Sequence, residues 1–218
     1  MIDDLRTRIE REEFDYQILV DSLKQYEHPR DKITKLLRQG AIIRVKKGVY
    51  VFGQKYARRP FSREILANMI YGPSCISLDF ALHYHGLIPE RVETVTSVTS
   101  GRGRRFGTPV GLFIYHQVPP AAFPVGIDQV QLEGGSPFLI AVPEKALADK
   151  IQEDRGTGIR SQHDMRLYLI ENLRIDAESL LKLNTEILSI LADRYGSRKL
   201  RLLNKVIARL RDEGIHHE

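Results

Sequence analysis

Of the 32 residues from 28 to 59, ten are cationic (Arg30, Lys32, Lys35, Arg38, Arg44, Lys46, Lys47, Lys55, Arg58 and Arg59), against one acid, Asp31. The 27 residues before them carry four basic and eight acidic side chains, and the whole chain of 218 residues has a formal net charge of +5. So basic a segment in a nearly balanced chain is the footprint of a polyanion-binding surface. A second cationic run, Arg102, Arg104 and Arg105, is interleaved with Gly101, Gly103 and Gly107. It lacks the Lys and Ser/Thr of a Walker loop and joins two apparent strands instead of opening a helix, so a nucleotide is not its expected ligand. It reads either as a flexible hairpin tip or as a second polyanion contact.

The remaining reactive side chains are sparse. His83 and His85 stand at i, i+2 on an expected helix, about 200° apart, and cannot chelate one metal together. Cys75 is the only cysteine, so no internal disulfide is available, and a pairing with His116 or His163 as a nucleophile is less expected than a buried thiol. No acid/base pair, nucleophile constellation or metal set emerges, so neither an enzyme nor a metal or cofactor is expected. Residues 1–4 are acidic where a signal peptide would be basic and then apolar, and no apolar run is long enough to span a bilayer. A cytoplasmic, non-membrane protein is the expectation. The composition, 42% hydrophobic and 28% charged, is that of a globular chain with a substantial core.

The elements that must position the basic residues follow from local signals. Leu5 and Ile9 suggest a first helix to about Glu12. Asp15 is placed to cap a second, with Ile18, Leu19 and Leu23 inward and its end near Tyr26. Glu27-His28-Pro29 is a turn, and Pro29 suits the first position of a third helix. Ile33, Leu36 and Leu37 give that helix an apolar stripe, and Gly40 closes it. Ala41–Lys46 and Val49–Phe52, joined across Lys47-Gly48, read as a hairpin. Helix, helix, turn, helix and a two-stranded wing is the winged-helix order. With the apolar stripe inward, Asp31, Thr34, Lys35 and Arg38 lie outermost, Lys32 on the flank and Arg30 near the helix start. Arg38 and Lys35 are then placed to read guanine N7 and O6, and Thr34 a thymine methyl, while Arg44, Lys46 and Lys47 contact phosphates.

Residues 1–56 thus read as a winged-helix DNA-binding domain, and Gln54–Pro60, polar and basic, as a connector. Residues 61–218 read as a mixed α+β domain. Ser62 is expected to cap a helix through Ile70, and Ser77 another that ends at Gly86. Strands are expected at 94–98, 110–118, 127–132 and 138–142, with Ser100–Gly107 as a loop. Pro143 starts a helix, and the chain is helical from about residue 160, ending in a helix with Leu200, Leu203, Ile207 and Leu210 inward and Arg201, Lys205 and Arg209 outward. The fold class is α+β: an N-terminal winged helix, a mixed α/β domain, and a helical C-terminal segment.

Gly48-Val49-Tyr50, the run from Ile76 to Ile88 (ISLDFALHYHGLI) and the run from Val142 to Asp149 (VPEKALAD) resemble the AbiEi-type antitoxins. The resemblance spans roughly residues 15 to 155. It implies a transcriptional autoregulator of a bacterial abortive-infection toxin–antitoxin system, binding its own operator as double-stranded DNA through the winged helix. It also implies a C-terminal domain that contributes antitoxicity and a functional link to a nucleotidyltransferase toxin. The alternative is a protein-interaction module in which the winged helix and the C-terminal domain dock a partner directly.

Overall fold

The computed structural model describes residues 2–131 and 136–215, and among them two hydrophobic cores form. The smaller is built by α1 (Ile2–Arg8), β1 (Glu13–Asp15), α2 (Tyr16–Ser22), α3 (Pro29–Arg38), β2 (Ile42–Lys46) and β3 (Val49–Phe52). Asp15 caps α2 as its position suggests, its carboxylate accepting from the Ile18 amide at 2.8 Å. Pro29 occupies the first turn of α3, where a missing N–H costs nothing. Gly40 ends that helix at φ +63°, and Gly48 turns the hairpin at φ +90°.

Both early helices are shorter than the sequence suggests. α1 stops at Arg8, the Arg6 guanidinium taking the Ile9 and Arg11 carbonyls beyond it, and Glu13–Asp15 then pair with Val51–Val49 as a short antiparallel strand. α2 stops at Ser22 because the chain tightens there, with the Leu23 amide bonded to the Val20 carbonyl and the Tyr26 amide to the Leu23 carbonyl.

The three strands form a sheet in the order β1-β3-β2, and both of its faces are covered. Phe14, Ile42, Tyr50 and Phe52 pack with the helices in the smaller core. Val45, Val49 and Val51 alternate to the other face and belong to the larger core.

That larger core lies under a six-stranded mixed sheet in the order β6-β7-β5-β4-β9-β8. Its strands are β4 (Cys75–Ile76), β5 (Val95–Thr99), β6 (Arg104–Thr108), β7 (Gly111–Gln117), β8 (Ile127–Gln131) and β9 (Pro137–Ala141). The expected strand end at Leu132 lies outside the described residues. β5 runs parallel to β7 and β4 parallel to β9, the other pairs being antiparallel. The helices α4 (Arg63–Ile70), α5 (Leu78–Tyr84) and α6 (Pro143–Glu153) complete this layer. The chain then becomes helical: α7 (Gln162–Leu167), a π-helical turn at Tyr168–Asn172, α8 (Ala177–Leu181), α9 (Thr185–Tyr195) and α10 (Arg198–Ile215). Leu200, Leu203 and Ile207 of α10 are buried, and Arg201, Lys205 and Arg209 are exposed. The fold is α+β with a helical C-terminal segment. Among the described residues no helix is long and apolar enough to cross a membrane.

Two local expectations are corrected. Ser77 does not cap α5 through its side chain: the chain enters that helix through Leu78 at φ +60°, and Ser77 Oγ donates instead to Asp149 Oδ2 at 2.7 Å. Thr96 Oγ1 of β5 takes the cap's place, accepting from the Phe80 amide at 3.2 Å. The Ser100–Gly107 segment is not a loop throughout, because Arg104–Thr108 pair with β7 as an edge strand. The short stretch before it is held as well. Tyr71 Oη donates to the Arg102 carbonyl at 3.0 Å, and a Cβ on Gly103 would come within 3.1 Å of the Tyr115 carbonyl oxygen.

Candidate nucleic-acid interface

The basic residues of 28–59 divide sharply once placed. On α3, burial of Ile33 and Leu36 turns Arg30, Thr34, Lys35 and Arg38 outward, and all four are exposed. Asp31 is exposed beside them, in the first helical turn, where a carboxylate complements the helix dipole. Thr34 Oγ1 donates to the Arg30 carbonyl at 3.0 Å, so Thr34 offers a partner its methyl and its acceptor lone pairs. Lys32 is half-buried, with its ammonium 5.0 Å from the Tyr26 ring centroid, a cation–π contact that holds it to the flank.

The hairpin divides in the same way. Arg44 is exposed, and it pairs across the strands with Tyr50. Burial pushes the Tyr50 phenol upward and the Arg44 charge pulls against it. Lys47, in the turn, is exposed. Lys46 is engaged elsewhere: Nζ donates to the Ile70 carbonyl at the end of α4 at 2.7 Å and stands 4.5 Å from the Phe106 ring centroid. The expected wing cation is thus an internal staple between the hairpin and the larger core.

The turn also abuts the start of α2, where the Tyr16 amide donates to the Gly48 carbonyl at 2.9 Å and the Tyr16 ring is 38% exposed. Sequence reading missed Tyr16 as a member of this surface. Only the β1–α2 junction brings it beside the turn, and the strand that makes the junction is three residues long.

The unit is held by buried charge. Arg6 Nη2 pairs with Glu12 Oε1 at 2.7 Å, both residues being buried, and the guanidinium sits 4.1 Å from the Phe52 ring centroid. The same Glu12 oxygen accepts from the Arg58 amide at 3.2 Å, and Arg58 Nη2 donates to the Arg6 carbonyl at 2.9 Å. The connector is therefore tied back to α1 at Arg58. Glu13 adds a bond to the Ser62 amide, and burial raises its carboxyl above the ordinary value.

In the larger core, residues 76–88 and 142–149 meet through buried polar side chains. Ser77 Oγ, Lys145 Nζ (3.4 Å) and Tyr195 Oη all donate to Asp149, and Lys145 also donates to the Ala122 carbonyl at 3.2 Å. Burial and the Asp149 charge push the Tyr195 phenol upward. Lys150 Nζ pairs with Asp79 at 3.0 Å, and His85 Nε2 is 2.8 Å from the Ala141 carbonyl oxygen. Ser77, Lys145 and Asp149 are buried and mutually satisfied, which is the chemistry of a structural seam. Cys75 is buried beside it, its thiol pushed up to about 12 by desolvation. His116 contacts Glu153 at 3.0 Å instead. Of the second cationic run, Arg102, Arg104 and Arg105 are all exposed.

No family model matches the chain, and no curated protein matches it. Among solved structures, the crystal structure of the RV2827C protein from Mycobacterium tuberculosis is similar at 14% identity and a TM-score of 0.46, over 93% of this chain and 78% of that one.

Proposed function

We propose that this chain is a DNA-binding autoregulator whose N-terminal unit acts as a winged helix, and that it serves as the antitoxin of an abortive-infection toxin–antitoxin pair. One observation carries the DNA-binding half: Arg30, Thr34, Lys35 and Arg38 share the solvent face of a helix whose opposite face is core, and Arg44 and Lys47 are exposed on the hairpin that follows. In this reading α3 lies in the major groove. Arg38 and Lys35 meet base edges, Thr34 presents its methyl, and Arg30, Arg44 and Lys47 hold phosphates. The antitoxin half rests on the resemblance carried by residues 76–88 and 142–149, and its partner is a nucleotidyltransferase toxin.

The test is fluorescence anisotropy with the gene's own upstream duplex and a scrambled duplex, over a range of salt. Arg38→Ala is expected to cost about 1–3 kcal/mol on the native site and to relax sequence preference. Lys47→Ala should weaken both duplexes alike and lower the slope of log K against log salt by about 0.9. Equal wild-type affinity for the two duplexes would remove the operator-binding role. No binding, together with a stable complex with the toxin, would replace it by direct docking.

A further inference from the structure

Arg104 and Arg105 are neighbours on one edge strand, yet they face opposite ways. In an antiparallel pair, residues directly opposite one another share a face. Arg104 is paired with Tyr115 and Phe106 with Phe113, whereas Arg105 is paired with Ile114. Tyr115 donates through its hydroxyl to the Ala67 carbonyl of α4 at 2.6 Å, so Arg104 and Phe106 stand on the α4 side of the sheet and Arg105 on the other. Onto that same α4 side the hairpin is stapled, with Lys46 Nζ over the Phe106 ring and bonded to Ile70. Arg104 lies two residues along the strand from Phe106, roughly 7 Å away. Tyr71, the residue after Ile70, holds the Arg102 carbonyl, and its ring lies tilted against Phe106 with centroids 6.0 Å apart. The Arg102 carbonyl and Arg104 therefore lie on the side of the sheet where Lys46 anchors the hairpin. No acidic residue occurs between Asp31 and Glu64 or between Glu93 and Asp128, so these two stretches of sequence carry no countercharge of their own.

We propose that Arg102 and Arg104 extend the hairpin's phosphate-binding surface onto the second unit and clamp the backbone of the same duplex that α3 reads. This rests on the DNA-binding reading above. Exposed arginines also protect an unpaired strand edge from pairing with another chain. That role would be shared by all three arginines, while the clamp leaves out Arg105, which faces away from the hairpin's side. Arg105 is the internal control. Because the staple holds hairpin and edge strand together, the clamp needs no rearrangement when the duplex arrives, and its contribution is additional phosphate contacts without sequence preference.

The experiment measures anisotropy of the full chain with its upstream duplex and a scrambled duplex, across a salt series. Arg102→Ala/Arg104→Ala is expected to lower the salt slope by about 1.8, twice the value of about 0.9 per phosphate, on both duplexes alike. Arg105→Ala should leave the slope at the wild-type value, and Arg102→Lys/Arg104→Lys should retain it because the charges remain. All three variants should keep the wild-type thermal midpoint, since the substituted side chains are exposed. A double alanine variant with an unchanged slope, or an equal fall in Arg105→Ala, overturns the clamp. If the wild type binds and Arg38→Ala weakens it while the double variant does not, only this inference fails. If the wild type binds no duplex, the DNA-binding reading fails with it.

Discussion

Replacing Lys46 by methionine keeps most of the stem and removes the charge, and the structure assigns the loss to stability and not to DNA affinity. Lys46 Nζ donates to the Ile70 carbonyl at 2.7 Å. Ile70 is the last residue of α4, so this is one of the carbonyls a helix leaves without an internal partner, at the end where a cation is favoured. A hydrogen bond from a charged donor contributes about 1.5–3 kcal/mol, and a cation over an aromatic ring about 0.5–2 kcal/mol. The two share one ammonium and do not add, and Lys46 is only half-buried, so a loss of about 2 kcal/mol is expected. In a chain of this length that corresponds to a fall in thermal midpoint of roughly 4–8 °C. Lys47→Met, one residue on and exposed, should stay within about 0.5 kcal/mol of wild type and should instead lower the DNA salt slope by about 0.9. Differential scanning calorimetry and salt-dependent anisotropy on the same two variants separate the roles. An unchanged midpoint with a lowered salt slope for Lys46→Met would refute the staple and return Lys46 to the phosphate-binding set.

Asp149→Asn strands the buried Lys145 ammonium and should cost about 3–5 kcal/mol in urea denaturation, while Lys145→Met/Asp149→Asn should recover part of it, because the Asn oxygen still accepts from Ser77 or Tyr195. Gly53→Ala would set a Cβ 1.9 Å from the Gly40 carbonyl oxygen, forcing apart the backbone that ends α3, so a loss of about 3 kcal/mol or more and weakened DNA binding are expected. Glu13 titrates higher in the folded chain than in the unfolded one, so the folded state holds this proton more tightly and stability falls as pH rises through 4.5 and on past the folded value. Urea melts at pH 4 and pH 7 should therefore show wild type losing ground to Glu13→Gln as pH rises; a difference independent of pH would exclude that linkage. Cys75, with its thiol raised to about 12, should react with an aromatic disulfide reagent at pH 8 only as fast as the chain opens. Rapid native-state labelling would contradict its burial.

What the sequence makes legible is what local chemistry decides. Pro29 and Gly40 bracket α3, Gly48 marks the hairpin turn, and Asp15 and Ser62 cap the helices they precede. The exposed face of α3 follows from helical period alone, so Thr34, Lys35 and Arg38 are found where they are expected. β1 is hidden because its first residue is a glutamate, and Glu13 is buried only through a bond to the Ser62 amide 49 residues on. β6 is hidden because an edge strand can be exposed and glycine-bearing, which in one dimension is the signature of a loop. Lys145 and Asp149 look like a solvated i, i+4 pair on a helix surface; their burial depends on Ser77, Tyr195 and the Ala122 carbonyl, all distant in sequence. The rings that stand against Lys32 and Lys46, Tyr26 and Phe106, are set by the fold and not by the composition of the basic segment.

The three-stranded sheet whose two faces are both covered makes the first 56 residues a poor candidate for life on their own. Severed after the hairpin, they would keep the helices over Phe14, Ile42, Tyr50 and Phe52 but bare Val45, Val49 and Val51 to water. A patch of β-branched residues on a small sheet is an invitation to self-association. Under the DNA-binding proposal, a change of specificity is therefore better attempted at the surface of α3, leaving the valines and their cover in place, than by exchanging residues 1–56 as a block.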